Sequence, residues 1–215
     1  MSTVSTVSRE PSTVLGDISW STYLELRDNP TNYHTHMTYD QGLLEIMSPS
    51  ARHEGFAYFF GLIISAWAVE LNIPIRGLRQ TTCRRPDLAK GLEPDDCYYV
   101  QSERKMRGKM ELDLMVDLPP DLALEVEITR SSISKMPIYA ALGVPELWRY
   151  DGQILRIYEL IDGHYMSRDS SVCFPNFPIA KCEEVLQQAG HIDDTSLVRG
   201  FQQWVRETMT RAADQ

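Results

Sequence analysis

Cysteine is scarce in this chain, and none of it is spaced as a framework. Cys83, Cys97, Cys173 and Cys182 show no C-x-x-C pair and have no paired histidines close by. That spacing argues against a zinc ribbon or a disulfide scaffold and predicts reduced, packing thiols. Phosphate-cradling glycines are also missing: there is no G-x-x-x-x-G-K-[ST] loop and no Rossmann glycine set. Ser48 and Ser50 lack a G-x-S-x-G context and read as helix caps. The opening stretch MSTVSTVSREPSTVLG has neither a basic n-region nor an apolar h-region. It reads as a loosely ordered segment over 1–16, not as a signal peptide. No long run is free of polar groups. GFAYFFGLIISAWAVEL carries Tyr58, Ser65 and Glu70 and follows Arg52-His53-Glu54, so it predicts a buried core helix. The expectation is a cytoplasmic protein with no membrane partner.

An overall excess of positive charge is absent too, with 21 Lys and Arg against 30 Asp and Glu, a net −9. The charge is uneven, however. Between Arg76 and Lys109 nine basic residues face five acidic ones, a local +4. That segment suits either a polyanion contact or a solvated charged loop. A chain of 215 residues with 43% hydrophobic and 24% charged residues predicts one globular domain over 17–215.

Strands and helices interleave along the chain, which predicts an α/β or α+β class with a mixed sheet. DISWSTYLELRDN reads as a short helix and HMTYDQGLLEIM as strand, turn at Gly42, strand. SPSARHEGFAYFFGLIISAWAVELN starts with cap chemistry and continues as one long helix. PIRGLRQTTCRR and PDDCYYVQ read as strands joined by a polar loop, PDLAKGLE. ERKMRGKMELDLMVDLPPD is a charged excursion outside the core, and LALEVEIT a strand. SKMPIYAALG is a short helix that Ser134 can cap, with Pro137 in its first turn and Gly143 closing it. A hairpin turning at Asp151-Gly152, a strand around HYMSRD and two amphipathic helices complete the chain.

LALEVEIT poses the chemical question. Leu122, Leu124, Val126 and Ile128 line one face, and Ala123, Glu125, Glu127 and Thr129 the other. Residues i and i+2 of a strand stand about 7 Å apart on one face. Two carboxylates held that way cost stability when desolvated, unless hydrogen bonds or a cation such as Mg²⁺ compensate. The alternative is a wet face. Asp95, after Pro94, opens a neighbouring aromatic strand, although Pro-Asp is also an ordinary turn signal. Lys135 stands in the first turn of the next helix, where its charge opposes the helix dipole and an anionic partner would rationalise it; the alternative is a lysine in solvent. His53 and Glu54 lie in the first turn of the long helix, with capping as their default role. His34 and His36 could pair on a zinc ion, but no further ligand has fitting spacing.

An acid before one strand, Glu-x-Glu on the next and a lysine after it resemble the PD-(D/E)XK nuclease superfamily. The nearer resemblance is to the Uma-two-type restriction endonucleases, in four ordered blocks: MSPSARHE, EPDDCYYV, DLALEVEIT and YAALGVPELWRYDG. They lie within a core of about 20–160, leaving 161–215 as a C-terminal strand and helices. The resemblance implies a restriction-endonuclease-like core, a mixed β-sheet flanked by helices, with an extra hairpin and C-terminal helices. It implies Asp95 and Glu125 as ligands of Mg²⁺ (or Mn²⁺), and Glu127 as a further metal contact or base. Lys135 would orient the attacking water or stabilise phosphorane charge. The implied activity is a Mg²⁺-dependent endodeoxyribonuclease with DNA as partner. The hairpin and C-terminal helices, surplus to the core, point separately to a homodimer. Two departures stand out: Glu127 occupies the usual lysine position, and Gln41 precedes the early turn glycine where the family has an acid. They keep a second reading open, a catalytically degenerate nuclease fold serving as a binding module.

Overall fold

A strand whose residues are buried on both faces needs cover on both. Leu122–Val126 (LALEV) is such a strand: all five residues are buried, the two-sided signature of a sheet between helical layers. The protein is described by a computed structural model over residues 10–129 and 131–213.

In chain order the elements are β1 (Ser12–Leu15), α1 (Trp20–Arg27), β2 (His36–Asp40), β3 (Leu43–Met47), α2 (Ala51–Glu70), β4 (Arg76–Gly77), β5 (Cys83–Arg85), β6 (Lys90–Leu92), β7 (Asp96–Tyr99), α3 (Glu103–Met106), β8 (Leu122–Val126), α4 (Met136–Leu142), β9 (Glu146–Tyr150), β10 (Leu155–Ile161), β11 (His164–Arg168), α5 (Ile179–Gln187) and α6 (Asp194–Ala213). They form a mixed α/β fold with two sheets. The smaller runs β1-β3-β2-β6-β5, and the larger β11-β10-β9-β8-β7-β4. Within the larger sheet β8 pairs parallel with β9, with Glu125 opposite Arg149, and antiparallel with β7, with Asp96 opposite Leu124.

Each layer follows from a local pattern. Ser50 caps α2 by accepting the His53 N–H, and the helix then buries Phe60, Ile63, Ile64 and Trp67 against Leu122, Leu124 and Val126. Its nearly all-round apolarity is explained by Leu186, Phe201 and Val205 of α5 and α6, which join the same core. Each large side chain so enclosed stabilises the fold by about 1.5–3 kcal/mol. The opposite face of β8 meets α4, whose Ile138, Tyr139 and Leu142 pack with Ala123 and Leu147. Gly143 ends α4 at φ +78°, a left-handed cap that favours glycine. Gln41-Gly42, both at positive φ, turn β2 into β3 as a tight hairpin.

Several sequence expectations are corrected. Residues 12–15, expected to be loose, pair with β3 along a full register because alternating Ser, Thr and Val suit an added strand; residues 1–9 lie outside the described residues. The loop PDLAKGLE contains β6, which the smaller sheet recruits between β2 and β5. PIRGLRQTTCRR divides into β4 and β5, serving different sheets on either side of Arg79 at φ +54°. The charged excursion buries Met106 and Leu114, apolar residues that its composition masks. Lys135, not Ser134, stands at the N-cap of α4, with no side-chain cap bond. Of the two readings open for the second face of β8, the dry one holds at Glu125, which is 1% exposed.

Candidate metal centre

Leu92-Glu93-Pro94-Asp95 carries the chain from the smaller sheet into the larger. Glu93 holds the first side, accepting the Met37 N–H at 2.7 Å and lying 3.3 Å from Arg27. Asp95 holds the second. Its N–H donates to the Leu124 carbonyl at 3.1 Å, and its Oδ2 accepts the Val126 N–H at 2.6 Å. The neighbouring Asp96 points away from this centre, toward Tyr98 and Arg79, which separates the two acids of the Pro-Asp-Asp run.

The Oδ1 atom of Asp95 meets two imidazoles. His53 Nε2, from the first turn of α2, is 2.9 Å away, and His36 Nδ1, from the start of β2, is 3.3 Å away. His53 Nδ1 stands 3.2 Å from Glu10 Oε1. Glu10 in turn accepts from the Ser50 N–H at 3.0 Å, the Ser50 hydroxyl at 2.9 Å and the Thr129 hydroxyl at 2.8 Å. Asp95, His53, His36 and Glu10 are all under 10% exposed.

Burial alone would favour the neutral form of each group, yet the neighbours win. The contacts and charges of Asp95 and Glu10 raise His53 to about 10. The two imidazoles and the Lys135 charge hold Asp95 well below the usual carboxylate range, against its desolvation. Glu10 is brought down to about 2 against the same penalty, by His53, Ser50 and Thr129.

Glu125 has different company. Its Oε2 is 2.6 Å from Lys135 Nζ, and its Oε1 accepts the Tyr139 hydroxyl. Burial pushes Glu125 up, Asp95 adds to that push and Lys135 opposes it. For Lys135, desolvation lowers and the charges of Glu125 and Asp95 raise; the net direction is up. Asp95, Glu125 and Lys135 therefore lie in one electrostatic neighbourhood. Glu127 faces Arg149, whose Nε reaches Oε1 at 2.9 Å while Nη2 engages Oε2. Glu54 accepts from Gln80 at 3.3 Å and takes no part in the cluster, whereas His53 is central to it.

Each acid thus has its own cation: His53 for Asp95, Lys135 for Glu125, Arg149 for Glu127. Among the described residues, Asp95 Oδ1, His36 Nδ1 and both ring nitrogens of His53 are buried without a hydrogen bond of acceptable geometry, despite their short separations. One donor from each of His36, His53 and Asp95 fits within 4.8 Å of the others, a set able to hold an ion.

Three members of this neighbourhood escaped the sequence. In the sequence His36 stands out only beside His34, which is exposed while His36 is buried. Tyr139 sits at an apolar position of α4, where nothing in the pattern marks a polar partner. Glu10 lies in a segment whose Ser/Thr/Val-rich composition predicts loose order.

A family model described as "Uma2: Putative restriction endonuclease" matches residues 20–189. Among solved structures, the chain is similar to a putative nuclease belonging to DUF820 from Anabaena variabilis ATCC 29413. That likeness has a TM-score of 0.48 and 14% identity over 86% of this chain and 99% of the other. No curated protein matches the chain.

Proposed function

The chain belongs to the Uma2 family, and from that membership and the geometry around Asp95 we propose a divalent-metal-dependent endonuclease acting on DNA. The observation that carries this reading is the meeting of Asp95, Glu125 and Lys135 where β7 begins and β8 ends, with Lys135 2.6 Å from Glu125 and contributing its charge to Asp95. A divalent ion such as Mg²⁺ or Mn²⁺, when bound, would neutralise phosphoryl charge and lower the pKa of a water.

The protein's own groups divide the remaining work. Asp95 offers a cation Oδ1, the oxygen that faces His36 and His53, since Val126 fixes the other. Lys135 is a buried ammonium positioned to orient a nucleophilic water or to stabilise developing negative charge. Glu125 holds Lys135 in place and supplies a further oxygen whenever the lysine or Tyr139 releases it. Glu127 serves as an outer acid, steadied by Arg149.

A non-catalytic nucleic-acid-binding module is the second reading. It is favoured by the full occupation of both Glu125 oxygens. In both readings Arg104 and Lys105, exposed and without an ion pair among the described residues, are candidates for phosphate contacts, because Arg84, Arg85, Lys90, Arg107 and Lys109 of the basic stretch are already matched to acids.

The test is cleavage of supercoiled plasmid and of single-stranded RNA with Mg²⁺ or Mn²⁺. The expected result is nicking or linearisation of DNA that falls about 100-fold or more in Asp95→Asn and in Lys135→Met. Cleavage unchanged by both substitutions, or none with either metal, overturns the enzyme reading.

A further inference from the structure

We propose that His36 Nδ1, His53 Nε2 and Asp95 Oδ1 form a nitrogen-rich site for a transition-metal ion of the Mn²⁺ to Zn²⁺ series, and that this is the principal metal centre. The inference deepens the nuclease reading, since Asp95 belongs to both, and rests on it only for cleavage.

Separation comes first. Ligands about 2.0–2.2 Å from one ion stand about 2.9–3.5 Å apart at octahedral or tetrahedral angles. The two imidazole nitrogens lie 2.9 and 3.3 Å from Asp95 Oδ1. Those contacts are at ion-pair distance but lack the geometry of a hydrogen bond, so charge alone holds the buried atoms together among the described residues, and an ion that binds there takes the place of the His53 proton. Buried polar atoms left in that state call for a ligand.

Donor chemistry comes second. Imidazole nitrogens suit Zn²⁺, Ni²⁺ and Fe²⁺, whereas Mg²⁺ requires a near-octahedral oxygen shell. The acids that would build such a shell are engaged elsewhere, Glu125 with Lys135 and Tyr139, Glu127 with Arg149. Two nitrogens and one carboxylate oxygen also leave coordination positions for water or a phosphate oxygen.

Third is the outer support that metal-binding histidines ordinarily have. Glu10 Oε1 stands 3.2 Å from His53 Nδ1, on the side of the ring away from Asp95, and Ser50 and Thr129 fix Glu10 there. The Val126 N–H plays the same part for Asp95.

The experiment uses the full chain, stripped with chelator and titrated with Co²⁺, reading its visible absorption bands, with Mg²⁺ as competitor. We expect one Co²⁺ per chain, resistant to tenfold excess Mg²⁺. The apparent affinity should fall at least 100-fold in His36→Gln and about 10–100-fold in Glu10→Gln, which removes only the outer support. Absent bands, displacement by equimolar Mg²⁺, or unchanged affinity in a folded His36→Gln overturns the site; should that variant not fold, unchanged affinity in Glu10→Gln does so. Full Mg²⁺-supported cleavage by His36→Gln also overturns it while leaving the nuclease reading intact. Tight Co²⁺ binding without cleavage under any metal supports the site and removes the nuclease.

Discussion

Replacing Glu10 by glutamine removes one charge while keeping the shape of the residue, and the expected cost follows from its pKa. The carboxyl stands at about 2 in the fold against an ordinary 4.5. At 1.36 kcal/mol per pH unit that gap bounds the ionised form's contribution at about 3.4 kcal/mol. A glutamine at this position keeps part of the hydrogen bonding to Ser50 and Thr129, so about 2–3 kcal/mol is expected at neutral pH. The sign is that of a depressed acid: the stabilisation is complete above 4.5 and is lost as pH falls toward 2. Urea unfolding of wild type and Glu10→Gln at pH 7, 5 and 3 measures it, with equal m-values as the control for two-state behaviour. The gap between the two proteins should hold from pH 7 to pH 5 and shrink to less than half by pH 3. A gap equally large at pH 3 and pH 7, or no gap at all, refutes the assignment of Glu10 as an ionised partner of His53.

Lys135→Met should destabilise by about 3–5 kcal/mol, because it strands the Glu125 charge in a dry site; adding Glu125→Gln should recover most of that, as chemical denaturation of the double variant would reveal. Arg149→Gln, which breaks a pair about a quarter exposed, should cost about 1 kcal/mol or less in the same assay. The expected homodimer would sediment at twice 24.6 kDa at micromolar concentration, and a single monomeric boundary would remove it.

Alternation carried much of this fold. LALEVEIT declared both of its faces, and the structure keeps Leu122, Leu124 and Val126 on the α2 side with Ala123 on the other. The long helix, the Gly42 hairpin and the Gly143 cap followed from apolar runs and turn chemistry. The division into two sheets was not legible, since β6 has three residues, one of them glycine, and gains its pairing only from β2 and β5. For the site, strand parity pointed to Asp95 and Glu125. It said nothing of their partners, because His36 and Tyr139 reach them from 59 and 14 positions away, and Glu10 reaches His53 from 43 positions away. Glu127 shows the limit of parity in the other direction: sharing a face with Glu125 did not give it the same neighbours, because Arg149 stands across the parallel strand pair.

Glu10 stands ten positions before the stretch that carries the family likeness, yet its carboxylate braces a histidine at the heart of that stretch. A shortened chain beginning at Trp20 would keep every hallmark acid and the lysine while losing the prop behind His53. Recombinant fragments trimmed to recognisable homology would then register as inert for a reason unrelated to their hallmark residues.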